Sequence, residues 1–131
     1  MTRKDARSEA FILIFEKQFH DDPIEEILEY AESVRDFQAD DYVKTVFAGV
    51  YEHLSELDAV ISEKAVGWSI GRISKTALAV LRLALFEIEY MDEIPVSVSI
   101  NEAVELCKTY ATQDDASFVN GILATVAKEK N

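Results

Sequence analysis

"KTALAVLRLALFEIEYM", residues 75–91, decides how this chain folds. Leucine and alanine dominate the stretch, and both are strong helix formers. Apolar side chains fall on every side of it, so a helix here has to be enclosed by other helices. Ser74, immediately before it, is a favourable N-cap. The stretch is therefore predicted to be the central, most buried helix of the molecule.

The rest of the chain reads as helices arranged around it. Thr2 followed three residues later by Asp5 resembles a capping box, which opens a first helix running to about Phe19. In "AFILIF" (residues 10–15), Ala6, Ala10, Ile14 and Phe11, Phe15 recur at helical spacing. In "HDDPIEEILEYAESV" (20–34), Asp22 is a candidate cap, Pro23 suits the first helical position, and Glu25 and Glu26 face the positive helix end. Asp40 or Asp41 opens a third helix, predicted to continue to Ile61 on a stripe of Tyr42, Val46, Gly49, Val50, His53 or Leu54, Leu57 and Ile61. "GWSIGR" (67–72) is a short connecting turn. "IPVSVSINEAVELCKTY" (94–110) alternates like a strand at its start, but no partner strand is evident, so a helix is placed from about Ser97. Asp114 or Asp115 caps a final helix that ends in Lys128 and Lys130. The expected fold class is all-α, one bundle of six or seven helices.

Within the final helix, "ASFVNGIL" (116–123) sets Asn120 and Gly121 side by side. Gly costs about 1 kcal/mol against Ala inside a helix. The expectation is a packing reason for both: Gly121 admits a close helix, and the Asn120 amide is buried and bonded to the segment around Asn101.

Of the 131 residues 49% are hydrophobic, enough for a real core, and only 4 Gly and 2 Pro interrupt the chain. No apolar run approaches the roughly 20 residues of a membrane span, and "MTRKDARSEA" lacks a signal-peptide core. A single cysteine, Cys107, excludes an intrachain disulfide and a cysteine-based zinc cage. These features read as a soluble, cytoplasmic protein. A net charge of −12 argues against non-specific coating of nucleic acid. The acidity is concentrated in residues 21–63, which hold 13 acids against Arg35 and Lys44. Arg3, Lys4 and Arg7 make a small basic cluster at the N-terminus.

Catalytic chemistry is sparse. His20, Asp21 and Asp22 resemble a metal-binding pair of certain phosphohydrolases, but a metal needs further ligands from neighbouring helices. His53 is placed at the core's edge, and Cys107 reads as a small buried hydrophobe. The expectation is no enzyme, no metal and no cofactor.

"VLRLALFEI" (80–88), "IPVSVSINEAVELCKTY" (94–110) and "SFVNGIL" (117–123) resemble the signature blocks of the NusB family, in the family's order and spacing. "WSIGRIS" (68–74) and "ARSEAFILIFE" (6–16) resemble the elements before them. The resemblance implies two packed helical subdomains, about 1–66 and 67–131, and a bacterial transcription antitermination factor. It implies pairing with NusE, a small-subunit ribosomal protein. The pair would bind boxA RNA of nascent transcripts, notably ribosomal RNA, within the elongation complex. The RNA side would comprise Arg3, Lys4, Arg7, Asp114 and Phe118, with Phe118 near Arg7 as a stacking surface for bases. The NusE side would comprise Phe15, Phe19 and the position of Ala77. Arg82, Asn101, Glu102, Asn120 and Gly121 would be structural signature residues. The family's N-terminus is usually richer in arginine, its position 77 is often acidic, and its position 15 is often tyrosine.

Two other readings remain at this point. One is a protein-interaction module, binding NusE or forming a homodimer, with little RNA affinity of its own. The other is a metal-dependent hydrolase built on His20, Asp21 and Asp22.

Overall fold

Residues 75–90 form the helix around which the others are laid. The computed structural model describes residues 1–35 and 37–130. It contains seven α-helices: α1 (Arg3–Lys17), α2 (Ile24–Arg35), α3 (Asp41–Glu52), α4 (Leu54–Lys64), α5 (Lys75–Tyr90), α6 (Val96–Tyr110) and α7 (Gln113–Lys130). A 3-10 turn at Ile70–Arg72 joins α4 to α5. No strand occurs among the described residues.

Every residue of α5 from Ala77 to Ile88 is buried, because α1, α3, α4, α6 and α7 all pack on it. Its start is capped as expected: the Ser74 hydroxyl accepts from Ala77 N at 3.0 Å. Thr2 caps α1 by accepting from Asp5 N at 3.0 Å, and Asp40 caps α3 by accepting from Val43 N at 3.0 Å. The helix α2 buries only Ala31 and rests mainly on α1. No described helix is long and apolar enough to cross a membrane.

Several boundaries differ from the sequence reading. The predicted third helix is two, because His53 leaves helical geometry (φ −109°, ψ 21°). The His53 ring stacks on Tyr90 of α5 at 4.2 Å between centroids. The cap of α7 is Thr112, whose hydroxyl accepts from Asp115 N at 3.0 Å, so Asp114 and Asp115 lie inside the first turn. There their charge still faces the positive end of the helix. The alternating residues at the start of α6 are helical from Val96, and the Pro95 carbonyl accepts from Val98 N and Ser99 N.

The expectation for Asn120 and Gly121 is overturned. α7 buries Ala116, Val119, Ile122, Leu123 and Val126, a helical period that leaves Asn120 and Gly121 on the opposite, exposed face. Asn101 is exposed as well, and the two asparagines line opposite sides of an open polar groove between α6 and α7. A Cβ added at Gly121 would meet nothing within 4 Å. The glycine that permits a close helix approach is Gly49: a Cβ there would come within 2.3 Å of the Phe86 ring, which brings α3 onto α5.

The two glycines therefore respond oppositely to alanine. Gly121→Ala raises stability by up to about 1 kcal/mol, through helix propensity alone. Gly49→Ala lowers it by about 1–3 kcal/mol, through overpacking against Phe86. Urea denaturation of the two variants measures both.

Candidate nucleic-acid interface

The basic N-terminus is anchored from below by a carboxylate in the core. Glu87 of α5 is 0% exposed. It accepts from Arg7 Nε at 2.7 Å and Nη2 at 3.3 Å, from Ser99 Oγ at 2.7 Å, and from the Tyr42 hydroxyl. Arg7 is 4% exposed, and its Nη1 lies 3.8 Å from Glu102 Oε2. Burial works to lower the Arg7 pKa, but the hydrogen bond and charge of Glu87 outweigh it, and the guanidinium is held above its ordinary value. Arg7 is thus an internal tie between α1 and α5, and not part of the open surface that the resemblance suggested.

Arg3 and Lys4, one turn earlier, are exposed. The Arg3 guanidinium lies over the Tyr42 ring at 4.6 Å, and Lys4 Nζ lies 3.4 Å from Glu102 Oε2. Both cations keep their outer side towards solvent, since an exposed pair of this kind holds its partners only loosely.

Asp114 and Phe118 lie elsewhere. Ser74, at the start of α5, donates to Asp115 Oδ2 at 3.2 Å, which places the first turn of α7 at that end. Glu87, which holds Arg7, is thirteen residues further along the same helix, about 20 Å at 1.5 Å per residue. Phe118 therefore sits beside Trp68 (5.9 Å between ring centroids) and not beside Arg7. Tyr110, the last residue of α6, is exposed and packed on Phe11 of α1 at 5.0 Å. Arg3 and Lys4 lie on α1, Tyr110 ends α6, and Phe118 of α7 lines one cleft with Trp68 and Arg72. Trp68, Arg72 and Tyr110 were not singled out from the sequence. What marks them is exposure, which the tertiary structure decides and the sequence does not carry.

On the other candidate face, Phe15 packs between Phe11 (6.2 Å) and Phe19 (5.3 Å, edge to face), and Phe19 is exposed. Gln18 ties the end of α1 to α5 by donating to the Lys75 carbonyl at 2.9 Å. Ala77 is 0% exposed, like the rest of α5 under the helices that pack on it, and its amide donates to the Ser74 cap. It offers no contact surface, and the aromatic end of α1 carries this face. Arg82 clamps α4 to α5 through two bonds to Asp58 of 2.9 Å each. Among the described residues, no group of three or more His, Cys, Asp or Glu is placed to hold a metal ion. His20, Asp21 and Asp22 are all exposed.

An all-α binding domain is the class that this fold and surface define. A profile of the NusB family matches residues 4–128. The transcription antitermination protein NusB of Agathobacter rectalis is 41% identical over 133 residues, covering 97% of this chain and 100% of that protein. The NusB of Ruminiclostridium cellulolyticum is 42% identical, with 98% and 90% covered. T. maritima NusB superimposes with a TM-score of 0.87 at 35% identity, over 98% of this chain and 92% of that one. A chain from a structure of the antitermination factors NusB and NusE in complex with dsRNA gives a TM-score of 0.87 at 25% identity, over 97% and 96%. The chain belongs to the NusB family.

Glu87→Gln leaves the Arg7 charge without its counter-ion in a buried place, and is expected to destabilise by about 3 kcal/mol or more. An unchanged urea midpoint would show that the pair does not hold α1. Burial also pushes Tyr51 up to about 12 and the Cys107 thiol up to about 11. Tyr42 is raised by burial and then by the Glu87 charge. These groups keep their protons in the folded state after the unfolded chain has lost them, at about 8.5 for a thiol and 10 for a phenol. Their contribution is complete below those values and declines as pH rises towards the folded ones. The urea midpoint is expected to fall from about pH 9 upward, and to fall less steeply in Tyr51→Phe.

Proposed function

We propose that this chain is an RNA-binding antitermination factor that acts, without catalysis, as a pair with NusE on boxA-type RNA of nascent transcripts, notably ribosomal RNA, within the elongation complex in the cytoplasm. The observation that carries the reading is the set of surface cations and aromatics described above, which we read as one line from α1 to α7, on a chain that matches a chain of a NusB–NusE–RNA complex over nearly its whole length. Single-stranded RNA is held by cations along its phosphates and by bases stacked on aromatic rings. Arg3 and Lys4 supply the first, and Tyr110 and Phe118 supply the second; Asp114 stands beside Phe118 at the end of this line. With a net charge of −12, the remaining surface repels RNA and keeps it to this line. Phe15 and Phe19 form the face for NusE, and the acidic segment 21–63 favours the approach of a basic ribosomal protein.

Because Arg7 is held by Glu87, few free cations remain on the RNA side. This favours weak RNA binding by the chain alone and stronger binding by the pair. Electrophoretic mobility shifts with boxA RNA, with and without NusE, test the reading. Tighter binding by the pair is expected. No binding by the mixture at low salt would overturn RNA binding, while NusE binding or self-association that RNA leaves unchanged would favour a pure protein-interaction module. Arg3→Glu with Lys4→Glu should weaken RNA binding and make the salt dependence shallower by about 1.4 in log–log slope, at roughly 0.7 per lost phosphate contact on a single strand. Phe19→Glu should abolish pairing with NusE and leave the unfolding midpoint unchanged.

A further inference from the structure

The helix α2 leaves most of its apolar side unused. It rests mainly on α1 and buries only Ala31. Yet Ile27, Tyr30, Ala31 and Val34 recur at i, i+3, i+4 and i+7, the stripe by which one helix packs on another. Tyr30 is 70% exposed and Val34 is 60% exposed. The stripe lines a groove of about 510 Å³ between α2 and the end of α1, together with the carboxylates of Glu16, Asp22 and Glu26. Arg35 is a cation of this lining, and it is already held by Glu9 at 3.0 Å and by Glu16 at 3.8 Å. An exposed apolar patch rimmed by polar residues marks an interaction surface.

Shape and charge together select the occupant. The backbone groups of α2 bond within the helix, so an added strand finds no edge to pair with. What α2 offers is a straight row of side chains about 18 Å long, at 1.5 Å per residue over its 12 residues. A second helix laid along this row sets its own apolar stripe on Ile27, Tyr30 and Val34. The residues flanking that stripe then meet Glu16, Asp22 and Glu26, which calls for lysine or arginine. The same carboxylates repel RNA. A second copy of α2 would bring Glu25, Glu26, Glu29 and Glu32 against like charges, so this face does not pair with itself. The groove shares no residue with the proposed RNA side or with Phe15 and Phe19, and Glu16 lies about 100° round α1 from Phe15. We propose that the α1–α2 groove is a docking surface for a basic amphipathic helix of a protein other than NusE, seated on Tyr30 and Val34 and oriented by the carboxylates around them. The docking surface is independent of the RNA-binding reading above.

The probe is a fluorescein-labelled helical peptide of about 18 residues, five turns in length, with leucines at i, i+3, i+4 and i+7 and lysines on both flanks. One control scrambles its sequence, and another replaces its lysines by glutamates. Fluorescence anisotropy is read with the protein alone and with NusE in excess. The lysine peptide is expected to bind, less tightly as salt rises, and neither control to bind. NusE is expected to leave the binding unchanged. Tyr30→Ala and Val34→Ala should each weaken it about 5- to 30-fold, as truncation of an anchoring side chain does, and Glu26→Lys should weaken it through charge. All three positions are exposed, and circular dichroism separates lost binding from lost folding. Absence of binding, equal binding by the scrambled peptide, or unchanged affinity in folded Tyr30→Ala and Val34→Ala overturns the groove as a seat for a helix. Displacement of the peptide by NusE assigns the groove to the NusE face. A dimer in sedimentation that Val34→Glu abolishes assigns it to a second copy of the chain. Either result overturns the partner proposed. The mobility shifts with RNA are read separately, so failure here leaves the RNA reading intact, and failure there leaves this docking surface intact.

Discussion

A carboxylate with no access to water stands at the centre of this molecule. Glu87 receives hydrogen bonds from three helices besides its own: Arg7 of α1, Tyr42 of α3 and Ser99 of α6. A buried charge is tolerated only when it is paired and its lone pairs are satisfied. The four helices must therefore meet with those side chains in register. Apolar packing on α5 tolerates small slides of one helix past another. The Glu87 network does not, since each displaced donor leaves a buried acceptor unpaired.

That constraint shapes the surface. It draws Arg7 inward and leaves Arg3 and Lys4 as the exposed cations of α1. It fixes α1 alongside α6, so that Tyr110 comes to lie on Phe11. The hydroxyl of Ser74 works at the other end of α5. It caps that helix and reaches the first turn of α7 through Asp115, which sets Phe118 against Trp68. One rigid central helix thus spaces two groups of surface side chains that are far apart in sequence. Arg82 with Asp58 locks α4 to the same helix.

Much of the fold is legible in the residues themselves. The Leu/Ala composition of 75–91, the caps at Thr2, Asp40 and Ser74, and the scarcity of glycine and proline each report a local preference of the backbone. Local preference ends where neighbours decide. The stripe from Tyr42 to Ile61 is apolar at helical spacing throughout, so nothing in it announces the break at His53. Asn120 and Gly121 lie in an apolar run, and only the face that α7 turns to α6 shows that they point outward. Gly49 lies in a similar run and has the opposite fate, because Phe86 occupies the space a side chain would need.

The candidate site divides in the same way. The family blocks, the basic tip and Phe118 can be read directly, because motif and charge belong to the sequence. The sequence by itself determined an all-helical chain, its central helix and its family. Tertiary structure alone decided that Arg7 is an internal counter-ion, that Ala77 is hidden by the helices packed on α5, and that Trp68 and Arg72 stand beside Phe118. The physical reason is that exposure and pairing are properties of a residue's neighbours in space. For Glu87 and Arg7 those neighbours are 80 residues apart in the chain.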